Sequence, residues 1–120
     1  MSLYFQTNEA ARGLSQLCDE ELVLNCKYEL PYETRSFRVL MERYQRRVQL
    51  KAESMLGNSE DAKDMTQEIF LKVYRSIGKF GMKSSFSTWL YIITVNTCLN
   101  LIDKRNRNPQ WWLTEDIDTQ

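Results

Sequence analysis

Residues 58–78 read Asn58-Ser59-Glu60-Asp61-Ala62-Lys63-Asp64-Met65-Thr66-Gln67-Glu68-Ile69-Phe70-Leu71-Lys72-Val73-Tyr74-Arg75-Ser76-Ile77-Gly78. Apolar side chains return at Ala62, Met65, Ile69, Phe70, Val73, Tyr74 and Ile77 in steps of three and four, the signature of one helical face. Asn58 or Ser59 supplies an N-cap, Glu60 and Asp61 put negative charge where the helix dipole favours it, and Gly78 closes the element. A helix with such clear ends anchors the reading of its neighbours.

Upstream, Pro31 has a fixed φ that suits a first helical turn. Phe37, Leu40, Met41, Tyr44, Val48, Ala52, Met55 and Leu56 then mark a second amphipathic helix, with Arg35, Arg38, Arg43, Arg46, Arg47 and Lys51 on its other face. Gly57 stands where a C′ glycine ends a helix. Downstream, the loop Gly78–Lys83 leads to Ser84 and Ser85, either of which caps a third helix running to about Arg107. Leu90, Ile93, Thr97 and Leu101 form its buried stripe, with Phe86 in step, and Asn106, Asn108 and Pro109 stop it. Residues 14–30, with Leu14, Leu17, Leu22 and Leu24 among Asp19, Glu20 and Glu21, predict a short helix ending before Pro31. The expected fold is all-α: a compact bundle of three main helices plus a short N-terminal helix.

The chain has 120 residues, 42% hydrophobic and 27% charged, which suits one folded domain. Only 4 Gly and 2 Pro leave too few turn signals for an all-β fold. There is no histidine, so His-based triads and His-based zinc sites are excluded. The three cysteines, Cys18, Cys26 and Cys98, form no CxxC pair and read as free thiols of a cytoplasmic protein. No run is apolar enough to span a membrane. No cofactor or metal is expected, and no catalytic set of residues is visible. Residues 1–13 read as a disordered tail, 14–107 as the helical domain, and 108–120 as the start of a linker.

Charge is uneven. Residues 31–107 carry 14 basic and 8 acidic side chains, net plus 6, whereas 1–30 and 108–120 are each net minus 3. A basic middle between acidic ends fits a module that meets an anion. Three patterns give this detail. Asp64, Gln67, Glu68, Leu71 and Arg75 fall on one outer stripe, an apolar contact ringed by polar groups, as in a small interface. A plain solvated face held by a Glu68–Lys72 pair is the bland alternative. Ser84 to Tyr91 alternates hydroxyls (Ser84, Ser85, Ser87, Thr88) with aromatics just after Lys79 and Lys83. Unpaired bases stack on exposed rings, and hydroxyls and helix N-terminal N–H groups bind phosphate. Trp89 and Tyr91 are the rings expected to be exposed, and Phe86 is expected in the core. Finally Asn96, Asn100, Lys104, Arg105 and Arg107 line the end of the third helix, where Asn reaches base edges and Lys or Arg reaches phosphates; simple pairing of cations with the helix dipole is the alternative.

The strings Asp64-x-x-Gln67-Glu68-x-Phe70, Ser85-Phe86-Ser87-Thr88-Trp89-Leu90-Tyr91 and Val95-Asn96-Thr97, at this separation, resemble region 2 of the extracytoplasmic-function (ECF) sigma factors of bacterial RNA polymerase. The resemblance covers about residues 33–107. It implies a transcription initiation domain with no enzymatic activity. By that resemblance, Asp64, Gln67, Glu68, Leu71 and Arg75 dock on the β′ clamp helices of core RNA polymerase. Phe80, Gly81, Met82, Lys83, Ser84 and Ser85 form a pocket for a flipped non-template base of the promoter minus-10 element. Trp89 and Tyr91 separate the strands, and Asn96, Asn100, Lys104 and Arg105 hold duplex and backbone. An anti-sigma factor that covers these surfaces is a further implied partner. Two departures stand out: Phe80-Gly81-Met82 replaces the family's FRG, and Ile92 replaces an Arg, so two basic groups near the DNA are missing. No helix-turn-helix region 4 is expected after Pro109, as in a fragment or an unusually short member. The rival reading is a helical protein-interaction module, an adaptor or sequestered decoy, that docks but does not melt DNA.

Overall fold

The computed structural model describes residues 13–107, and the readings of 1–12 and 108–120 lie outside them. A 3₁₀ turn at Leu14–Gln16 precedes α1 (Asp19–Glu29), α2 (Arg35–Leu56), α3 (Ser59–Ser76), a second 3₁₀ turn (Ile77–Lys79) and α4 (Phe86–Arg107). Among the described residues there is no strand, and no helix is long and apolar enough to cross a membrane. The all-α expectation holds.

The helix ends follow from local chemistry. Gly57 takes φ +85°, the left-handed conformation that costs a glycine little, and its N–H closes on Glu53 O at 2.8 Å. Asn58 Oδ1 accepts the Asp61 N–H at 2.8 Å, so Asn58 is the cap of α3. Ser85 Oγ accepts the Thr88 N–H at 3.2 Å, which picks Ser85 over Ser84 as the cap of α4. Two expectations at the N-terminal end are corrected. Pro31, joined to Leu30 by a cis peptide bond, lies in a turn, and α2 starts four residues later. There Glu33 accepts the Arg35 N–H at 2.9 Å, and hydrogen bonds from Arg35 hold the Glu33 carboxyl below its usual range. The N-terminal segment is a 3₁₀ turn and a separate helix, broken where Leu17 is extended. This resets the phase of α1: Val23 is buried and Leu24 is 49% exposed.

The central helix α2 packs against α1, α3 and α4. Leu22, Val23, Leu40, Ile69, Val73, Ile77, Phe86 and Leu90 make the main core, each buried; an apolar side chain of this size contributes about 1.5–3 kcal/mol on full burial. The Tyr44 ring meets Phe86 edge-on at 5.6 Å, while its hydroxyl donates to Asp19. Arg43 Nη1 bonds the same carboxylate at 3.0 Å, tying α1 to α2. At the far end the small residues Ala52, Ala62 and Cys98 let α2, α3 and α4 approach closely. On α4, Thr94 and Cys98 join the buried stripe with Leu90 and Thr97, while Ile93 and Leu101 are half-buried.

Candidate nucleic-acid interface

The segment between α3 and α4 is built on stacked aromatics. The Phe80 ring is only 5% exposed and lies parallel to the Trp89 ring, centroids 4.5 Å apart and 21° between planes. Phe86 backs the pair at 5.9 Å from Trp89. Trp89 is therefore half-buried, with one side fixed by Phe80. An open cavity of about 450 Å³ lies beside it, lined by Ser76, Lys79, Phe80, Gly81, Lys83, Ser84 and Trp89. Two ammonium groups, hydroxyls and an aromatic edge around a space of this size suit a base with its phosphate. The Phe80 ring is packed into the core and stacks on Trp89, while the residue also lines the cavity. Met82 has φ +58°, a left-handed conformation costing roughly 1–2 kcal/mol outside glycine. That is the position where an FRG sequence would put its glycine.

The hydroxyls and the start of α4 are already engaged. Ser85 Oγ bonds Ser87 Oγ at 3.1 Å and Thr88 Oγ1 at 3.0 Å as well as its cap partner. The Phe86 N–H donates to Glu20 Oε2 at 2.9 Å. The helix N-terminus thus holds a carboxylate of α1 at the place where a phosphate was expected; the Ser84 hydroxyl donates to Ser85 O at 3.2 Å and that of Ser76 to Lys72 O, which leaves Lys79 and Lys83 as the charged groups lining the cavity.

Trp89 and Tyr91 are not brought together. Two residues apart on a helix they point about 200° from each other. Tyr91 is 53% exposed on the opposite flank of α4, with Lys51 Nζ 5.4 Å from its ring centroid. Ser87 and Tyr91 border a small cleft of about 100 Å³ against Tyr44, Arg47, Val48 and Lys51 of α2. Thr88, Asn96 and Asn100 are exposed, as is Ile92 at 50%, where the family's Arg is missing. Lys104 and Arg105 are exposed too, but Arg105 Nη2 bonds Asp61 Oδ2 at 2.7 Å. Hydrogen bonds from Asn58 and then Arg105 hold the Asp61 carboxyl below its usual range.

The stripe on α3 lies as expected: Asp64, Gln67 and Arg75 are exposed, Leu71 is 47% exposed, and Glu68 is half-buried. The Glu68–Lys72 pair does not form among the described residues. Lys72 Nζ instead donates to Thr97 Oγ1 of α4 at 3.2 Å, closer to the bundle interior. Sequence reasoning missed Glu20 and Lys27, because their partners are 66 and about 50 residues away and no local pattern marks them. Lys27 Nζ donates to the carbonyls of Ile77, Gly78 and Phe80 at 3.2, 3.0 and 2.7 Å. Among the described residues no group of three or more His, Cys, Asp or Glu side chains is placed to hold a metal.

Fold and surfaces define a class: a small all-helical domain with a mixed-charge outer face on one helix and an aromatic, lysine-edged cavity at the start of the next. The chain belongs to the Sigma-70 region 2 family, whose model matches residues 40–108. It is 37% identical over 102 residues to the ECF RNA polymerase sigma-E factor of Haemophilus influenzae, covering 85% of this chain and 50% of that one. To the RNA polymerase sigma-H factor of Pseudomonas aeruginosa it is 34% identical over 96 residues, covering 80% and 48%. The chain spans about half the length of these curated relatives. An engineered region 2 of sigmaE, solved by NMR in complex with GTAAAA, matches with TM-score 0.68 and 36% identity, over 77% of this chain and 93% of that one.

Proposed function

We propose that this chain is the part of an ECF sigma factor that binds core RNA polymerase in the cytoplasm and recognises and melts the promoter minus-10 element. The observation that carries this reading is the cavity beside Trp89, with Lys79 and Lys83 at its edge and a stacked ring as its wall. The likeness to a region 2 solved with GTAAAA supports it. A flipped non-template base enters the cavity and lies against Trp89; opening the duplex costs a few kcal/mol, which stacking and phosphate contacts offset. Trp89 is the wedge. Tyr91, on the other flank, contacts strand beyond it, and Asn96, Asn100 and Lys104 face the duplex edge and backbone. Asp64, Gln67, Glu68, Leu71 and Arg75 dock on the β′ clamp helices, and an anti-sigma factor covers the same surfaces when the protein is held inactive.

The test is an anisotropy titration of a labelled single strand containing GTAAAA at two salt concentrations. Affinity that falls with salt is expected, since phosphate contacts release counterions; no binding at either concentration refutes the DNA reading. That outcome would leave the interaction module without DNA melting, favoured by the apolar Ile92 and Leu99, 50% and 48% exposed on the outer face of α4.

A further inference from the structure

The recognition segment is tethered at both ends by one helix that nothing in the proposed site includes. At its entry, Lys27 of α1 donates to three carbonyls, Ile77, Gly78 and Phe80, within 2.7–3.2 Å. These are C-terminal and turn carbonyls that have no partner within α3, and a cation there also complements the helix dipole. At its exit, Glu20 accepts the Phe86 N–H that opens α4. Glu20 and Lys27 are seven residues apart, two turns of α1, and so share one face. Between these fixed points lie Gly81, Lys83 and Ser84, which line the cavity, and Met82, which packs against the core in a left-handed conformation that needs its surroundings to hold it.

We propose that α1 is the positioning element of base selection: Lys27 and Glu20 set the spacing of the cavity walls and so decide which base the segment accepts. The inference rests on the proposed minus-10 reading. Discrimination at a protein site depends on polar groups held to within about 0.5 Å, and a segment of this length without tethers samples a wider range. Neither residue touches the base. Lys27 acts through the carbonyl of Phe80, hence through the ring that backs Trp89. Glu20 acts through the first turn of α4 and also keeps a negative charge at the N-terminus of that helix, beside the cavity-lining segment.

The experiment measures affinities of the full chain for a GTAAAA single strand and its single-base substitutions, alongside thermal unfolding and binding to core polymerase. A recognised base is discriminated by about 5–150-fold. Lys27→Met is expected to reduce the ratio to less than about threefold, while polymerase affinity through α3 stays the same. Lys27→Arg, which keeps donors and charge, restores most of the discrimination. Lys27→Gln, a milder change, carries the test if the Met variant does not fold. Glu20→Gln keeps an acceptor for Phe86 but removes the charge, so it tightens binding of every oligonucleotide alike with discrimination retained, whereas Glu20→Ala, which removes the acceptor, lowers discrimination; unchanged discrimination in folded Glu20→Ala overturns the role given to Glu20. Unchanged discrimination in folded Lys27→Met or Lys27→Gln overturns the proposal even if the melting temperature drops. Equal affinity of the unaltered chain for every base overturns it as well, whereas no binding at all refutes the minus-10 reading beneath it.

Discussion

Gly81→Arg restores, by one substitution, a cation that the family places in this loop. Gly81 is exposed, its φ lies outside the left-handed region, and an added Cβ meets nothing closer than Lys83 Cγ at 3.9 Å. An arginine therefore fits without displacing backbone, beside Lys79 and Lys83 at the mouth of the cavity. An exposed charge-assisted contact to phosphate is worth about 0.5–1 kcal/mol, or about two- to fivefold tighter binding at low salt. Neutralising one more phosphate steepens the log–log salt slope for a single strand by about 0.7. A fourfold rise in salt then removes about two- to threefold of the advantage, so at 200 mM at most about a twofold advantage remains. Replacing a glycine at a compatible site also restricts the unfolded chain, stabilising by about 0.4–1 kcal/mol and raising the melting temperature by roughly 2–6 °C. Anisotropy titrations of a GTAAAA single strand at 50 and 200 mM salt, with calorimetry, read all three. Met82→Gly is the control: it relieves the left-handed strain and adds no charge, so its salt slope equals that of the parent. An arginine variant with parental affinity and parental slope would show that the strand does not pass this loop.

Other consequences are open to equally direct measurement. Trp89→Ala should weaken single-strand binding by about 5–150-fold, the value of one lost stack, whereas Trp89→Phe retains most of it and keeps the contact with Phe80; unchanged affinity in the alanine variant removes the wedge. Asp64→Lys with Glu68→Lys should cost at least about tenfold in polymerase affinity through like-charge contact while changing fold stability by less than about 0.5 kcal/mol, and full retention of binding rules out α3 as the docking face. Burial pushes the Cys26 thiol up to about 12 from 9.0, aided by Glu29. The folded state favours the neutral thiol, so its contribution to stability is complete below pH 9 and is lost between pH 9 and 12. Melting temperature should be level from pH 7 to 8.5 and then fall, and Cys26→Ala should fall less steeply; equal slopes would contradict the assignment.

How much of this was legible in the sequence depends on range. Gly57, Asn58 and Ser85 mark their helix ends because each acts within four residues, through a left-handed φ or a side-chain cap, and such chemistry is visible in a string of letters. The α3 stripe was legible for the same reason: positions 64, 67, 68, 71 and 75 share a face whatever the helix packs against. The start of α1 was not, since the break at Leu17 shifts the phase by one residue and only packing shows that Val23 rather than Leu24 faces inward. That Trp89 and Tyr91 leave opposite flanks of α4 follows from helix geometry alone. Nothing local marks Glu20 or Lys27, whose contacts exist only after α1 crosses the bundle, and the burial of Phe80 follows from a stack with a ring nine residues away.

The two proposed surfaces sit on different helices, yet polar contacts join those helices at three levels. Asp61, in the first turn of α3, pairs with Arg105, in the last turns of α4, at 2.7 Å. Midway, Lys72 reaches Thr97. At the other end Lys27 and Glu20 of α1 tie the carbonyls after α3 to the first N–H of α4. With the small-residue contact of Ala62 and Cys98 behind them, α3 and α4 have little freedom to slide against one another. A partner that grips Asp64 and Glu68 therefore fixes the direction in which Trp89 faces. The same contacts limit the charge available to DNA: Arg105 is paired with Asp61 and Arg107 with Asp103 at 3.0 Å. Among the described cations at the end of α4, Lys104 alone has no carboxylate partner. On the proposed reading, this leaves Lys104 at the end of α4, with Lys79 and Lys83 beside the cavity, as the cations of the recognition surface without a carboxylate partner among the described residues, and two of those three lie where the single strand would pass.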